Sequence, residues 1–267
     1  MTSTYEFEVE GHLDGHWSDF LGELTLRQGP NGTTTLTGAV EDQARLHGIL
    51  GRLRDLGASL VSLRGVPERE APVAGPLDRL AWPRRTERLE IRPARAEDAE
   101  ATWRFRRLEG VGRWLTEVPT DLEGYTERFC APSRLATTLV VGLEGRIVGD
   151  LMLRVEDAWG QAEVAEQARG TQAELGWALD PAATGRGYAT EAVRELLRIC
   201  FEELGLRRVT AACFADNEPS WRLMERVGMR REQHAVADAL HRSGAWLDTY
   251  GYAMTATDWP GASCVAQ

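Results

Sequence analysis

Leu175-Gly-Trp-Ala-Leu-Asp-Pro-Ala-Ala-Thr-Gly-Arg-Gly-Tyr-Ala-Thr-Glu-Ala192 reads as a strand, a tight glycine turn and the start of a helix. Gly185 and Gly187 carry no Cβ, so the backbone can bring several N–H groups toward one point, where the positive end of the following helix adds its dipole. Such a turn holds anions, and a pyrophosphate fits it. A dinucleotide fold asks for a third glycine and for an acidic residue about 20 positions later. Here that third glycine is missing, Tyr188, Ala189 and Thr190 following Gly187, and residues 206–209 are not acidic. A phosphate loop of the nucleotide hydrolase type ends in Gly-Lys-Ser/Thr, and this chain has no lysine: all 31 basic residues are arginine. Elimination leaves coenzyme A.

A second block, Asn217-Glu-Pro-Ser-Trp-Arg-Leu-Met-Glu-Arg-Val-Gly-Met229, follows in the same region. With it the chain resembles the Gcn5-related N-acetyltransferase (GNAT) superfamily. Thr184-Gly-Arg-Gly-Tyr-Ala189 is similar to the acetyl-CoA loop of that family, Gln/Arg-x-x-Gly-x-Gly/Ala, with Thr184 replacing the usual Gln or Arg. The run Gly-x-Gly-Tyr-Ala-Thr-Glu-Ala and the Asn-x-x-Ser of the second block look like the branch of ribosomal-protein alanine acetyltransferases, with Met229 in place of a Phe. The resemblance spans roughly residues 86–259. It implies an α/β fold of the GNAT acyl-CoA N-acyltransferase type, a mixed sheet with helices, and acetyl-CoA as co-substrate with no metal. It further implies direct transfer of the acetyl group to a primary amine. The acceptor is either a protein N-terminal amine or a small-molecule amine such as an aminoglycoside.

The resemblance also implies roles for particular residues. Backbone groups around Trp177, with Ala178 and Leu179 foremost, would hydrogen-bond the pantetheine arm. Gly185, Arg186, Gly187, Tyr188, Ala189 and Thr190 would hold the pyrophosphate, Arg186 through a bidentate contact or, equally, as a solvent-exposed side chain. Asn217 would contact the coenzyme chain, and would also serve as a helix N-cap. Many family members protonate the departing thiolate with a Tyr seven positions after that Asn. Met224 occupies the position here and has no proton to give. Ser220 is therefore the candidate for thiol contact and proton delivery, the alternative being a capping serine. Glu174 is the candidate base, acting through water, the alternative being a solvated carboxylate at a strand edge. Strand alternation places Glu174 on one face with Gly176 and Ala178 and turns Leu175 and Trp177 the other way. His234 and His241 fall in or beside a closing hairpin and read more readily as surface or structural histidines. Trp103 and Trp114 read either as walls of an acceptor pocket or as core.

Composition sets limits on the remaining readings. With 267 residues and 43% apolar content the chain can bury a core. The absence of lysine excludes a lysine Schiff base or nucleophile. A net charge of -10 argues against general nucleic-acid affinity and tolerates a cationic acceptor better. Cys130, Cys200, Cys213 and Cys264 stand far apart without a Cys-x-x-Cys, which suggests neither a zinc site nor a disulfide framework. No stretch has the ~18 consecutive apolar residues of a membrane span, and the first residues lack the apolar run of a secretory signal. The expected compartment is the cytoplasm, with no membrane partner.

Along the chain, residues 1–68 read as a small βββαβ domain. A hairpin turn at Pro30-Asn31-Gly32 lies between alternating strands, and a helix from Asp42 carries Leu46, Ile49, Leu50, Leu53 and Leu56 on one stripe and stops at Gly57. Its role is unassigned by sequence, self-association into a homodimer or partner binding being the two options. Residues 69–85, with Pro72, Pro76 and Pro83, read as a linker. The acetyltransferase-like domain follows over 86–259, with a tail at 260–267. In it the expected strands are 89–92, 138–141, 147–153, 173–179, 207–214, 233–237 and 246–254. Helices are expected from 98, over 121–130, over 189–204 and up to Gly228. The interruption at 156–171 reads as an exposed loop over the site. A different functional class is also open to this sequence: with Met224 where a Tyr is usual, the chain could bind acetyl-CoA as an inactive sensor or scaffold.

Overall fold

The computed structural model describes residues 3–11, 24–28, 32–40, 43–66, 75–118 and 120–261. It divides into two compact units, Met1–Val73 and Ala74–Gln267.

The first unit has the order β1 (Ser3–Glu10), β2 (Thr25–Gln28), β3 (Thr33–Val40), α1 (Gln43–Asp55) and β4 (Leu60–Val66), with the strands arranged β2-β3-β1-β4. Pairing sets Leu26 and Phe7 opposite Leu36 from either side, so period-2 alternation brings one apolar row to one face. That row meets Leu46, Ile49 and Leu53 of α1 in a separate core. Gly57, at φ +72°, ends the helix. Of the expected hairpin turn only Gly32, at φ +74°, lies among the described residues.

The second unit is built on an eight-stranded sheet. Its strands are β5 (Arg84–Arg85), β6 (Glu90–Pro93), β7 (Thr138–Leu143), β8 (Arg146–Glu156), β9 (Gln172–Leu179), β10 (Arg208–Phe214), β11 (Arg230–Leu240) and β12 (Trp246–Thr255). Their order in the sheet is β11-β12-β10-β9-β8-β7-β6-β5. Helices α2 (Ala99–Arg106) and α3 (Leu122–Phe129) cover one face, and α4 (Tyr188–Arg198) and α5 (Glu218–Arg226) the other. All neighbouring strands run antiparallel except β9 and β10, which α4 connects as a crossover. The glycine turn therefore opens the helix that joins the one parallel pair.

Alternation in β8 and β9 divides their side chains between the two faces. Leu151, Leu153, Ala173 and Leu175 pack with Val193, Leu196 and Leu197 of α4, which fixes the start of that helix against the sheet. Asp150, Met152, Arg154, Glu174, Gly176 and Ala178 alternate with them and belong to the α2–α3 face. Past Arg198 the helix continues as a π-helical turn, Ile199–Glu203, closed by Leu204 N donating to the Ile199 carbonyl at 2.9 Å.

Three sequence expectations need correction. The stretch 69–85 is not linker throughout: Pro76–Arg79 forms a 3-10 turn, Leu77 is buried in the main core, and β5 pairs with β6. Proline density suggested a spacer, but Leu77, Leu80 and Trp82 supply enough apolar surface to dock the stretch. The loop expected over the site, residues 156–171, starts only after Glu156, the last residue of β8, includes an exposed 3-10 stretch and lines none of the cavity described below. The closing hairpin is longer than expected, β11 and β12 pairing from Arg230–Ala253 to Leu240–Trp246 with two register shifts.

Candidate active site

The site grows from the glycine turn. Gly185 (φ +74°) and Gly187 (φ +82°) both hold left-handed backbone, which a residue with a Cβ adopts at a cost of ~1–2 kcal/mol. Gly187 is the N-cap of α4, and no side chain caps the helix. The N–H groups of its first turn are thus left without intrahelical partners and project from the positive end of the dipole. Gly185 has open space where its Cβ would stand, so the turn is both bare and donor-rich, as an anion requires.

Residues distant in sequence brace this turn. Arg88 donates from Nη1 to the Arg186 carbonyl at 2.9 Å and from Nε to Glu191 at 2.7 Å, and stacks over the Tyr188 ring at 4.6 Å. Glu191 also accepts from Thr86 Oγ1 at 2.5 Å and from Arg88 N at 2.8 Å. Burial pushes the Glu191 carboxyl up, and the hydrogen bonds from Thr86 and Arg88 more than reverse it, so it sits below the ordinary range.

Beside the turn the sheet opens. The parallel pairing of β9 with β10 runs only through Arg208–Gln172, Val209–Ala173 and Thr210–Glu174. Beyond Glu174 the strands part, while β9 stays paired with β8 as far as Leu179–Gly149. The β10-facing backbone edge of β9 is consequently left without a strand partner in the gap, at the level of Ala178 and Leu179.

A cavity of ≈ 2020 Å³ occupies this gap and extends to both faces of the sheet. Glu174, Ala178, Leu179, Gly185, Gly187, Tyr188, Ala189, Thr190, Asn217 and Ser220 all line it, and Arg186 does not. The exposed Arg186 serves the turn through its carbonyl, held by Arg88, and the structure shows no inward-facing guanidinium there. Asn217 is the N-cap of α5 by position, yet its side chain makes no capping bond. Its backbone carbonyl accepts from Ser220 N at 3.0 Å, and the residue lines the cavity. Ser220 lines the cavity with Cys213 of β10; burial pushes the Cys213 thiol up to about 11, against the lowering effect of the Ser220 hydroxyl. Met224 is fully buried in the core. Glu174 stands at the fork where the strands separate. Its Oε2 is held by Arg154, directly opposite it on β8, while Oε1 has no protein partner among the described residues.

These features meet the requirements of a thioester carrier: donors for a diphosphate, an open strand edge for an amide-bearing arm, and polar groups where the arm would end. A family model described as the acetyltransferase (GNAT) domain matches residues 88–230. The chain belongs to the GNAT acetyltransferase family. Residues 4–64 match a domain of unknown function. An uncharacterized N-acetyltransferase of Bacillus subtilis, YnaD, is 37% identical over 86 residues, 32% of this chain and 50% of that protein, so the alignment spans half the length of that relative. The putative ribosomal N-acetyltransferase YdaF of the same organism is 28% identical over 66% of this chain and 95% of its own length. Among solved structures, Mycobacterium smegmatis RimJ in complex with CoA-disulfide aligns with a TM-score of 0.53 and 25% identity over 64% of this chain and 84% of that chain.

This GNAT protein is accordingly an acetyl-CoA-dependent N-acetyltransferase, and further residues complete its site. On the α2–α3 face, Arg106 at the end of α2 reaches Asp150 on β8 through two bonds, Nε to Oδ2 at 2.6 Å and Nη2 to Oδ1 at 2.5 Å. The pair is buried, with side-chain exposures of 12% and 3%, and lines the cavity. Arg134, Tyr125 and Trp114 line the same half, whereas Trp103 packs in the α2–α3 core. Asp150 had a legible signal, a lone acid in the apolar run of residues 147–153. Its partner, 44 positions upstream, had none.

His241 proves structural. Its Nδ1 accepts from Ser243 N at 3.2 Å and its Nε2 donates to the Arg113 carbonyl at 3.0 Å, the tautomer assigned from these partners. His234 lies exposed against Asp248 at 2.7 Å and lines no part of the cavity.

Proposed function

We propose that this enzyme acetylates a primary amine by direct transfer, the acceptor being a protein N-terminal amine or a small-molecule amine, in the cytoplasm. One observation carries the reading: the gap between β9 and β10 has Glu174 at its closed end and Ser220 on its rim, and leads to the uncapped start of α4. The amine nitrogen attacks the thioester carbon, the carbon–sulfur bond breaks, and the electron pair leaves on sulfur. Ser220 gives the thiolate its proton and recovers one from solvent. Glu174, through water and its unengaged Oε1, takes the proton that the new amide nitrogen loses. Ala178 and Leu179 hold the pantetheine amides, Gly185, Gly187, Tyr188, Ala189 and Thr190 receive the diphosphate, and Asn217 contacts the arm. The ribosomal designation of the YdaF relative supports the N-terminal amine as one acceptor.

The test is release of free CoA from acetyl-CoA across a panel of peptides and small amines, using the wild type, Glu174→Gln and Ser220→Ala. General acid–base roles predict kcat losses of about 100-fold or more for each variant. Unchanged turnover removes the residue roles. Coenzyme binding without CoA release on any amine removes catalysis and leaves a coenzyme-binding protein.

A further inference from the structure

The α2–α3 half of the cavity keeps more cations than its carboxylates can match. Arg106 is taken by Asp150, Arg128 by Glu117 at 2.9 Å, and Arg154 by Glu174 and Glu156. Each of these carboxylates that lines the cavity, Asp150, Glu117 and Glu174, already holds an arginine. Arg134 remains. It follows Pro132 in the one-turn helix Pro132–Leu135, lines the cavity half-buried, and its guanidinium has no hydrogen-bond or ion-pair partner among the described residues.

An unmatched guanidinium there is out of keeping with a chain of net charge -10. Withdrawing it from water without a partner is unfavourable. Burial, and the like charge of Arg106, push its pKa below the ordinary arginine value. An anion arriving in the cavity would relieve both effects, and a planar fork of donors matches a carboxylate in particular. The coenzyme's phosphates do not meet this need, because the glycine turn belongs to the opposite face of the sheet.

We infer that Arg134 is the specificity residue for the acceptor: it receives a carboxylate carried a few bonds from the amine that is acetylated. The inference rests on the acetyl-transfer reading for the amine, though not for the anion site itself. The same chemistry arises in a free amino acid, through its α-carboxylate, and in a peptide whose first residues are acidic. A second cation near the amine also disfavours its ammonium form, which assists a nucleophile that must be neutral to attack.

The experiment compares matched acids and amides: a free amino acid against its amide, and an acidic tripeptide against the same peptide with Asn or Gln. Equilibrium binding to the CoA-loaded protein and CoA release from acetyl-CoA are both measured, for the wild type, Arg134→Gln and Arg134→Lys. Acetyl-CoA affinity on the same preparations reports the integrity of the fold. For at least one pair the wild type should bind the acid about 10- to 100-fold more tightly than the amide, the range of a charge-assisted hydrogen bond. Arg134→Gln should abolish that preference and Arg134→Lys keep part of it. The pair that shows the effect identifies the source of the carboxylate. Equal binding of acid and amide in both pairs, or a preference that survives in Arg134→Gln, overturns the inference. If no amine releases CoA while the Arg134-dependent preference persists, the acetyl-transfer reading fails and the anion site stands.

Discussion

Arg88 and Glu191 are joined by a hydrogen bond of 2.7 Å from Nε to Oε2, and through it the chain entering the sheet is tied to the first turn of α4. Arg88 then reaches the Arg186 carbonyl, so one side chain holds both ends of the segment that would receive a diphosphate. Arg88→Ala should raise the KM for acetyl-CoA about three- to tenfold with little change in kcat, since the lost contacts orient the turn but do not touch the reacting atoms. Steady-state kinetics at saturating amine separates the two parameters. A fall in kcat at unchanged KM would refute this positioning role.

Gly187 tests the turn itself. At φ +82° alanine carries a conformational cost of ~1–2 kcal/mol, and its methyl would stand 3.5 Å from Arg88 Nη2, an ordinary contact. The strain is therefore local and the surroundings need not shift. Gly187→Ala should lower thermal stability by a few degrees and weaken acetyl-CoA binding at least tenfold in calorimetry, because strain and the added methyl both act where the free N–H groups converge. Full affinity in this variant would mean that the coenzyme does not use the turn.

Asp98 gives the acetyltransferase unit a defined acid sensitivity. Burial pushes its carboxyl up, and two bonds from Arg92, at 2.7 and 2.8 Å, with one from Arg95 N at 2.8 Å, bring it below its ordinary value of 3.8. A carboxylate depressed in the folded state contributes stability that is complete above its unfolded pKa and disappears as pH falls through its folded one. Asp98→Asn should therefore cost about 2 kcal/mol near neutral pH, and the difference from wild type should shrink as the pH is lowered from about 5 toward 3. Urea titrations over that range read it directly. A gap that stays constant would assign the loss to packing.

Much of this was legible in the sequence, for local reasons. Gly57 and Gly187 mark helix boundaries because each holds a left-handed backbone that glycine adopts freely. Apolar spacing placed Leu46, Ile49 and Leu53 on the buried face of α1, and alternation set Glu174 with Ala178. What the sequence hid is non-local. The Arg154 partner of Glu174 depends on the register of β8 against β9, and the Arg106–Asp150 pair on where α2 crosses the sheet. No periodicity encodes either. The reach of Arg88 to Arg186 crosses 98 positions and joins a strand entry that composition alone presents as the end of a linker. Asn217 shows the converse: its N-cap position was readable, and only the coordinates reveal that its amide leaves the cap.

His241 fixes the wall of the acceptor half. It accepts at Nδ1 from Ser243 and donates at Nε2 to Arg113, packs with its ring 5.9 Å from Trp114 and 5.4 Å from Phe214, and is 8% exposed. Arg242 adds a bond to the Leu115 carbonyl, so the residues after β11 and the segment around Trp114 are joined at two points. Trp114 lines the cavity and none of these bonds reaches the glycine turn. His241→Ala should therefore raise the acceptor KM about tenfold through a loosened Trp114, the loss of one or two net hydrogen bonds, while acetyl-CoA affinity stays within about twofold. His241→Gln, which can still donate to Arg113, should recover part of the loss. Parallel decline of both substrates in His241→Ala, without rescue by glutamine, would show that the histidine supports the whole unit and not this wall.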